Sequence, residues 1–213
     1  MARFSDAQKE SRRRELMDAA RRCFSRNGFH NTTTADIVRE AGVSQGTFYL
    51  YFATKDDVIA ALADNQDQAN ALINVLAEAE NDPIAGLAVL FNRHGQTLGE
   101  SGQDDQRRVS VQGWAEALRN DDIRQRLIGN ATRVEQEIYH LITRGQQMGQ
   151  FRADANPQGI ARALTALFRG LTLQSALDGN FDAALTAKSI EDMVRGALLP
   201  EAPKPQPQKK ANP

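Results

Sequence analysis

The chain has 213 residues, and its 26 lysine and arginine residues against 27 aspartate and glutamate residues give a net charge of −1. This balance excludes a protein that coats nucleic acid or membrane by bulk positive charge, and the single cysteine excludes an internal disulfide. No apolar stretch reaches the roughly 18 residues of a membrane span, and the N-terminus lacks the apolar segment of a signal peptide. We therefore expect a cytoplasmic protein that makes no membrane contact.

The charge is unevenly distributed along the chain. Residues 1–55 carry ten basic and six acidic side chains, whereas residues 56–203 carry 13 basic and 21 acidic ones. A basic segment beside an acidic body indicates an anionic partner for that segment, although an excess of this size is also common on an ordinary solvated surface.

Hydrophobic periodicity near 3.6 residues runs along most of the chain without β alternation, so the sequence predicts an all-α protein of about nine helices. The first helix is predicted over 6–27, where Gly28 supplies a left-handed stop. A capping box at Thr33 begins the second helix. Gly42 then turns the chain into a third short helix, predicted over 44–51.

The later helices are predicted from their caps and apolar stripes. A second capping box, formed by Thr54 and Asp57, begins the fourth helix, and Asn156-Pro157 is a typical helix start. The predicted helices cover 54–79, 83–98, 107–119, 121–148, a segment from 157 onward, and 183–199, with a loop over 99–106. The proline- and lysine-rich residues 201–213 are predicted to be a disordered tail.

The second and third helices together form a helix-turn-helix, a unit that can place its second helix in the DNA major groove. At 100° per residue, Phe48 and Phe52 share the inward face of that helix. The residues that project outward or sideways are Gly46, Thr47, Tyr49 and Leu50. This small, polar and aromatic set suits base edges and phosphates, and capped helix N-termini suit phosphates, although helices of any function need caps.

Residues 32–62, TTTADIVREAGVSQGTFYLYFATKDDVIAAL, resemble the DNA-binding signature of the TetR/AcrR transcriptional regulators. The family pattern is matched without gaps at Thr33, Ile37, Ala41, Gly42, Val43, Ser44, Gly46, Thr47, Tyr49, Tyr51, Phe52, Lys55 and Asp56. Two mild departures, Val38 and Val58, exchange one apolar residue for another. The similarity extends upstream to about residue 10, and the rest of the chain agrees only in outline.

The resemblance implies an N-terminal three-helix DNA-binding domain over 1–55 and a helical effector-binding and dimerisation domain over 56–200. It implies phosphate contacts by Thr33, Thr34, Tyr49, Tyr51 and Lys55. It implies that the groove is approached by Ser44, Gln45, Gly46 and Thr47, with Leu50 at the DNA backbone. Ala35 lies where some relatives have a base-reading arginine, and alanine cannot make that contact.

The predicted body carries candidates for a dimer interface and a ligand pocket. Its last two helices are rich in small and apolar residues, which suits packing within one chain or across a two-fold axis, and the resemblance implies the homodimer. A pocket is expected among the middle helices, where each candidate is also an ordinary core residue type. The candidates favour an apolar or aromatic effector and are Phe91, His94, Gln112, Trp114, Tyr139, Met148 and Phe168.

Two further patterns point to other chemistry. Residues 42–46 match the G-x-S-x-G turn of hydrolases with Ser44 as nucleophile, but that turn follows a strand, whereas a capped helix is predicted here. The three histidines lack metal-ligand spacing. We therefore expect no catalytic site, no metal and no cofactor.

Together these features predict a homodimeric repressor that binds a pseudo-palindromic double-stranded operator and is released from it by a small molecule. A regulator of the same family that answers to a protein partner, or to no ligand, is the alternative. An all-helical hydrolase that uses Ser44 is a more distant one.

Overall fold

The computed structural model describes residues 6–63, 66–78, 81–100 and 102–200. Within these residues the chain forms ten helices and no strand, which confirms the all-α prediction. The helices are α1 (Asp6–Asn31), α2 (Thr34–Ala41), α3 (Gln45–Tyr49), α4 (Lys55–Ala63), α5 (Gln66–Glu78), α6 (Pro83–Gly99), α7 (Asp104–Glu116), α8 (Asp121–Gln147), α9 (Pro157–Leu177) and α10 (Ala183–Leu198). Among the helices described, none is both long and apolar enough to cross a membrane.

The first four helices pack around one apolar core. Phe24, Ile37, Phe48 and Val58 are fully buried in it and come from α1, α2, α3 and α4 in turn. Burial of large apolar side chains stabilises such a unit by about 2 kcal/mol each. By packing, α4 therefore belongs with the first three helices, whereas the predicted domain boundary follows Lys55.

A second apolar core joins α5, α6, α8, α9 and α10. Its fully buried side chains include Phe91, Ile138 and Leu198. Helix α10 lies tightly on α6, since a Cβ atom at Gly95 would come within 3.0 Å of the Ala187 Cβ. Any larger residue at this position of α6 would require the two helices to move apart by a few tenths of an ångström.

Helices α7 and α8 connect the two cores. Val109 and Ala117 of the α7 segment and Ile123 at the start of α8 are buried in the first core. Farther along α8, Ile138 and Ile142 are buried in the second core. Helix α8 thus contributes to both cores, and α7, which contributes to the first, also packs against α9 of the body.

Several predicted boundaries differ from the observed ones. Helix α1 continues to Asn31 across a break at Gly28, whose φ of 80° and ψ of 164° are accessible almost only to glycine. Helix α7 begins at Asp104, inside the predicted loop, because two aspartates in its first turn interact favourably with the helix dipole. It ends at Glu116, ahead of the Asn120 cap of α8.

The segment predicted as one helix over 54–79 corresponds to α4 and α5. Residues 64 and 65 between them lie outside the described part of the chain. Counting α4 and α5 separately gives ten helices where about nine were predicted. The tail predicted for 201–213 also lies outside the described residues.

Candidate nucleic-acid interface and ligand cavity

The turn between α2 and α3 is held by local hydrogen bonds that the sequence specifies. At the start of α2, the Thr33 hydroxyl accepts from the Asp36 amide, and the Asp36 carboxylate accepts from the Thr33 amide. At its end, Gly42 has a φ of 65° and ψ of 29°, and its amide donates to the Arg39 carbonyl. This left-handed residue reverses the chain within two residues, so α3 begins at once.

Helix α3 is fixed by its cap and by its inward aromatic side chains. The Ser44 Oγ accepts from the Thr47 amide at 3.1 Å and lies 2.8 Å from the Thr47 hydroxyl. Phe48 is fully buried and Phe52 nearly so, with the Arg13 guanidinium over the Phe52 ring. The short helix is thus anchored on one face and open on the other.

The open face of α3 presents the side chains that the sequence placed outward. Gln45, Gly46 and Leu50 are exposed, and Tyr49 is 50% exposed with its ring edge-on to Phe48. At Gly46 a Cβ atom would meet nothing closer than the Ser44 Oγ at 3.8 Å. Nothing within the described chain requires glycine there, so any steric need for it must come from a molecule outside the fold.

The remaining predicted contacts fall at the edges of this face. Thr33 is exposed and its hydroxyl donates to Asp36, while Thr34 is half-buried at the start of α2. Tyr51 is half-buried and packs against the first core. The first amides of α2 have no intrahelical acceptor, as in any helix, so they remain able to bind an anion.

Lys55 is placed differently from its predicted role. Its ammonium donates to the carbonyl oxygens of Phe29 at 2.6 Å and Thr32 at 3.0 Å. Carbonyls at a helix C-terminus lack intrahelical donors and attract cations. The ammonium therefore braces the end of α1 in this conformation instead of standing free for a phosphate.

Most of the positive charge on α1 is locally paired. Arg22 and Arg26 both donate to the Glu40 carboxylate, at 2.6 and 2.5 Å, and these hydrogen bonds lower the pKa of Glu40 below its usual value. Shorter-range pairs join Arg12 to Glu15 and others along the helix. Most basic side chains of α1 are thus paired with a carboxylate. Helix α3 carries no charged side chain of its own.

A cavity of about 540 Å³ lies beneath the N-terminal helices, between α4 and the helices of the body. Its wall includes three of the predicted pocket residues, His94, Trp114 and Phe168. Apolar residues of α4 and α5, such as Ile59 and Leu72, form another part of the wall. The cavity therefore touches both cores, which is the position from which a ligand could alter their arrangement.

Four predicted pocket residues lie outside the cavity wall. Phe91 is fully buried with its ring 5.4 Å from Phe168, so it supports the wall from behind. Tyr139 packs against the second core, and Met148 is 43% exposed at the end of α8. The apolar stripe of α6 places Phe91 on an inner face, but a stripe does not distinguish a core position from a cavity wall.

Gln112, the fourth of them, connects α7 to the break in α1. Its Oε1 accepts from the Phe29 amide and its Nε2 donates to the Phe24 carbonyl, both at 3.1 Å. One side-chain amide thus satisfies two backbone groups on either side of Gly28. No feature of the sequence could have shown this pairing, because it joins residues more than 80 positions apart.

His94 and Phe168 form the contact between α6 and α9 at the cavity wall. The His94 Nε2 lies 3.2 Å from the Phe168 carbonyl oxygen, to which it donates, and the two rings are 4.5 Å apart. Burial lowers the pKa of His94 to about 4. The imidazole is therefore neutral near pH 7, and its Nδ1 is an acceptor.

Three arginines of the cavity wall were missed by the sequence reasoning. Arg93, Arg107 and Arg169 line the cavity beside the predicted aromatic residues. They fall on the polar sides of amphipathic helices, so periodicity assigns them to solvent. Within the described residues, no group of three or more His, Cys, Asp and Glu side chains is arranged to hold a metal ion.

Ser44 is a helix cap in this structure. Its Oγ is engaged with Thr47, and the segment before it is the helix α2. The strand that a nucleophile turn requires is absent at this position. The G-x-S-x-G spelling is therefore part of the turn between two helices.

Two family models match the chain. The model of bacterial regulatory proteins of the tetR family matches residues 16–62, which span most of α1 through α4. The model of the C-terminal part of BetI-type transcriptional repressors matches residues 95–199. Both describe transcriptional regulators, not enzymes.

Individual relatives agree along most of their length. The chain is 30% identical to the transcriptional regulator BetI of Brucella suis, covering 86% of this chain and 89% of the relative. It is 26% identical to the transcriptional regulator UidR of Escherichia coli, covering 87% and 92%. A Saccharomonospora viridis protein solved in complex with choline is 26% identical and superposes with a TM-score of 0.73, covering 90% of this chain and 99% of that one.

Proposed function

Because this chain belongs to the tetR family of bacterial regulatory proteins and is a DNA-binding transcriptional regulator, we propose that it acts as a homodimeric repressor released from its operator by a small molecule. The observation that carries the proposal is the juxtaposition of an exposed α3 face with a cavity that touches both cores. Its place of action is the cytoplasm, where bacterial DNA is found.

In this proposal, α3 enters the major groove of each half-site. The exposure of the α3 face supports direct contacts by its cap and first turn with base edges, and by Tyr49 with a phosphate. Lys55 is assigned no side-chain contact, because its ammonium is occupied by α1 carbonyls. The proposed DNA contacts are Thr33, Thr34, Ser44, Gln45, Gly46, Thr47, Tyr49, Leu50 and Tyr51.

The dimer is proposed to form through α9 and α10. Six residues of α9 lie within about 120° of one another on the helix surface. All six are exposed although they are small or apolar: Ala163, Ala166, Leu167, Gly170, Leu173 and Leu177. Helix α10 adds Leu185 and Met193, which are 65% and 74% exposed. An exposed apolar face of this kind is typical of a subunit interface.

Release is proposed to follow from a ligand in the cavity that favours a conformer with displaced α3 helices. The ligand must bind the two conformers with different affinity, and such coupling amounts to about 1–3 kcal/mol. Helix α7 supports the route, because it lines the cavity and also holds Phe24 and Phe29 of α1 through Gln112. The choline complex of the Saccharomonospora viridis protein supports small-molecule binding among related chains.

The DNA assignment is tested with the DNA that flanks the chain's own gene. Fluorescence anisotropy should show specific binding, and Tyr49→Phe should weaken it about tenfold because one hydrogen bond to a charged phosphate is lost. The substitution keeps the ring that packs on Phe48. Tyr139→Phe removes the same hydroxyl from the body and serves as the matched control. Equal affinity of wild type and Tyr49→Phe would remove Tyr49 from the interface.

A further inference from the structure

The described part of the cavity wall carries positively charged side chains as well as apolar ones. Among the described residues, the wall includes three arginines, Arg93, Arg107 and Arg169, and one carboxylate, Glu100. His94, which also lines the cavity, is neutral near pH 7 because burial lowers its pKa to about 4. The described part of the wall therefore combines apolar side chains with an excess of positive charge.

Two of the arginines lie next to the same interhelical contact. Arg93 precedes His94 on α6, and Arg169 follows Phe168 on α9, while the His94 Nε2 donates to the Phe168 carbonyl at 3.2 Å. Both arginine side chains are solvent-exposed and also contribute to the wall, so they stand where the cavity opens. Each arginine thus adjoins one partner of the contact, so that two cations from different helices stand at the opening of the cavity.

Neither of these two arginines has a counter-charge within the described part of the chain. Their guanidinium groups form no ion pair and no hydrogen bond with any described residue. By contrast, most of the other described arginines pair with a carboxylate, as Arg126 does with Asp122 and Arg195 with Glu191. An unpaired guanidinium group attracts anions, and one anion within reach of both groups would supply the counter-charge that they lack.

The other two charged side chains in the described part of the wall are Arg107 and Glu100, and neither forms an ion pair with Arg93 or Arg169. Arg107 is held by the Leu98 carbonyl and the Asp104 carboxylate, so its charge is already paired. Glu100 follows the end of α6, seven residues beyond Arg93, which is about 10 Å of helix rise. Along α6, Arg93 is therefore about two turns from this carboxylate, and no ion pair joins the two residues.

We infer that the effector is an amphipathic anion, with an apolar body against Trp114 and Phe168 and a carboxylate or phosphate group between Arg93 and Arg169. Guanidinium groups match both anions through paired N–H donors. The inference rests on the proposed function, since it names the ligand class of that same cavity. It also distinguishes this chain from its choline-bound relative, because a quaternary ammonium would add a third cation at this end.

The test uses decyl chains that share one apolar body and differ in the head group. The probes are decanoate, decyl phosphate, decanamide and decyltrimethylammonium, each below its micelle concentration. Binding to the full chain is followed by the fluorescence of Trp114, the only tryptophan, and by calorimetry. One or both anions should bind about tenfold or more tightly than the neutral amide, and the cation should bind most weakly. Comparing the two anions separates carboxylate from phosphate ligands.

The double substitution Arg93→Gln and Arg169→Gln should remove the preference for an anion over the amide while leaving amide binding within about twofold. The matched control is Arg108→Gln, which neutralises an exposed arginine of α7 that does not line the cavity. This control should retain the preference. Circular dichroism confirms that each variant is folded before binding is compared.

The outcomes separate this inference from the proposed function. Equal or tighter binding of the amide or the cation, or an anion preference that survives in the double variant, would overturn the anionic assignment alone. Failure of all four probes to bind would overturn it as well. An anion that binds with the expected preference but never changes operator affinity would contradict the ligand-controlled repressor and leave the ligand class in place.

Discussion

At the scale of single residues, the same side chains define helix ends and form the proposed interface. Ser44 caps α3 through the Thr47 amide, and Thr33 caps α2 through the Asp36 amide, yet both lie on or beside the face proposed to meet DNA. Replacing either by alanine removes about 1 kcal/mol of capping energy. A loss of DNA binding in such variants can therefore come from lower stability or from a lost DNA contact. Tyr49→Phe avoids this ambiguity because it removes one hydroxyl only.

His94 makes the stability of the chain depend on pH. Its pKa is lowered to about 4 in the folded chain by burial, whereas an unfolded histidine titrates near 6.5. As the pH falls through this window, the unfolded state takes up the proton first, so the free energy of unfolding falls. Between pH 7 and pH 5 the expected loss is about 2 kcal/mol.

Urea denaturation at the two pH values measures this effect, and His94→Gln should abolish most of it. His140→Gln replaces an exposed histidine of α8 and should keep the pH dependence of the wild type. If the free energy of unfolding falls equally between pH 7 and pH 5 in His94→Gln and in wild type, the acid sensitivity comes from other groups.

At the scale of the elements, α7 is the helix that joins the cavity to the N-terminal unit. It lines the cavity with residues including Val109 and Trp114, and its Gln112 holds the backbone beside the Gly28 break. The break matters, since a continuous α1 would direct the Phe29 amide to a carbonyl of its own helix. The break at Gly28 thus leaves the Phe29 amide free to donate to Gln112 of α7.

Gln112→Met tests this connection. The substitution keeps the length of the side chain but leaves the Phe29 amide and the Phe24 carbonyl without their partner, at a cost of about 1–3 kcal/mol. The midpoint of urea denaturation should fall, and hydrogen exchange of a peptide covering residues 24–31 should accelerate. Gln125→Met, at an exposed position of α8, is the control. Unchanged exchange in Gln112→Met would mean that α7 does not hold the break.

At the scale of the whole molecule, the near-zero net charge combines a basic N-terminal segment with an acidic body. The pairing of Arg22 and Arg26 with Glu40 leaves only a modest attraction for DNA on α1 and α2. Affinity for an operator must then come from directed contacts and from two half-sites bound together. The exposed apolar face of α9 is the surface proposed for the contact between the two subunits.

The double substitution Leu173→Glu and Leu177→Glu places two charges on that face and should yield a monomer. Operator affinity should fall by about a hundredfold or more, because the second half-site is no longer bound intramolecularly. Sedimentation velocity and anisotropy measure the two effects. Leu118→Glu, at a residue 82% exposed after α7, is the control for adding a charge to an exposed leucine. A double variant that remains dimeric would exclude this face as the interface.

The sequence by itself determined what depends on neighbouring residues. Caps at Thr33, Ser44 and Asn156, the turn at Gly42 and the inward position of Phe48 all follow from spacing of a few residues, and the structure has each of them. The family signature is equally local, since its residues lie within α2, α3 and the start of α4. For this reason the fold class and the regulator family could be read before any coordinates.

Only the tertiary structure decided which distant side chains meet. The Lys55 ammonium contacts carbonyls at the end of α1, and Gln112 binds the backbone on both sides of Gly28. The contact between His94 and Phe168 joins α6 to α9, and Arg93 and Arg169 of these two helices line the same cavity. The tertiary structure also left Phe91 in the core while Trp114 reached the cavity. Helical periodicity fixes the face on which a residue lies, but the packing of one helix against another fixes what that face touches, and the pairs that build this cavity are separated by tens of residues.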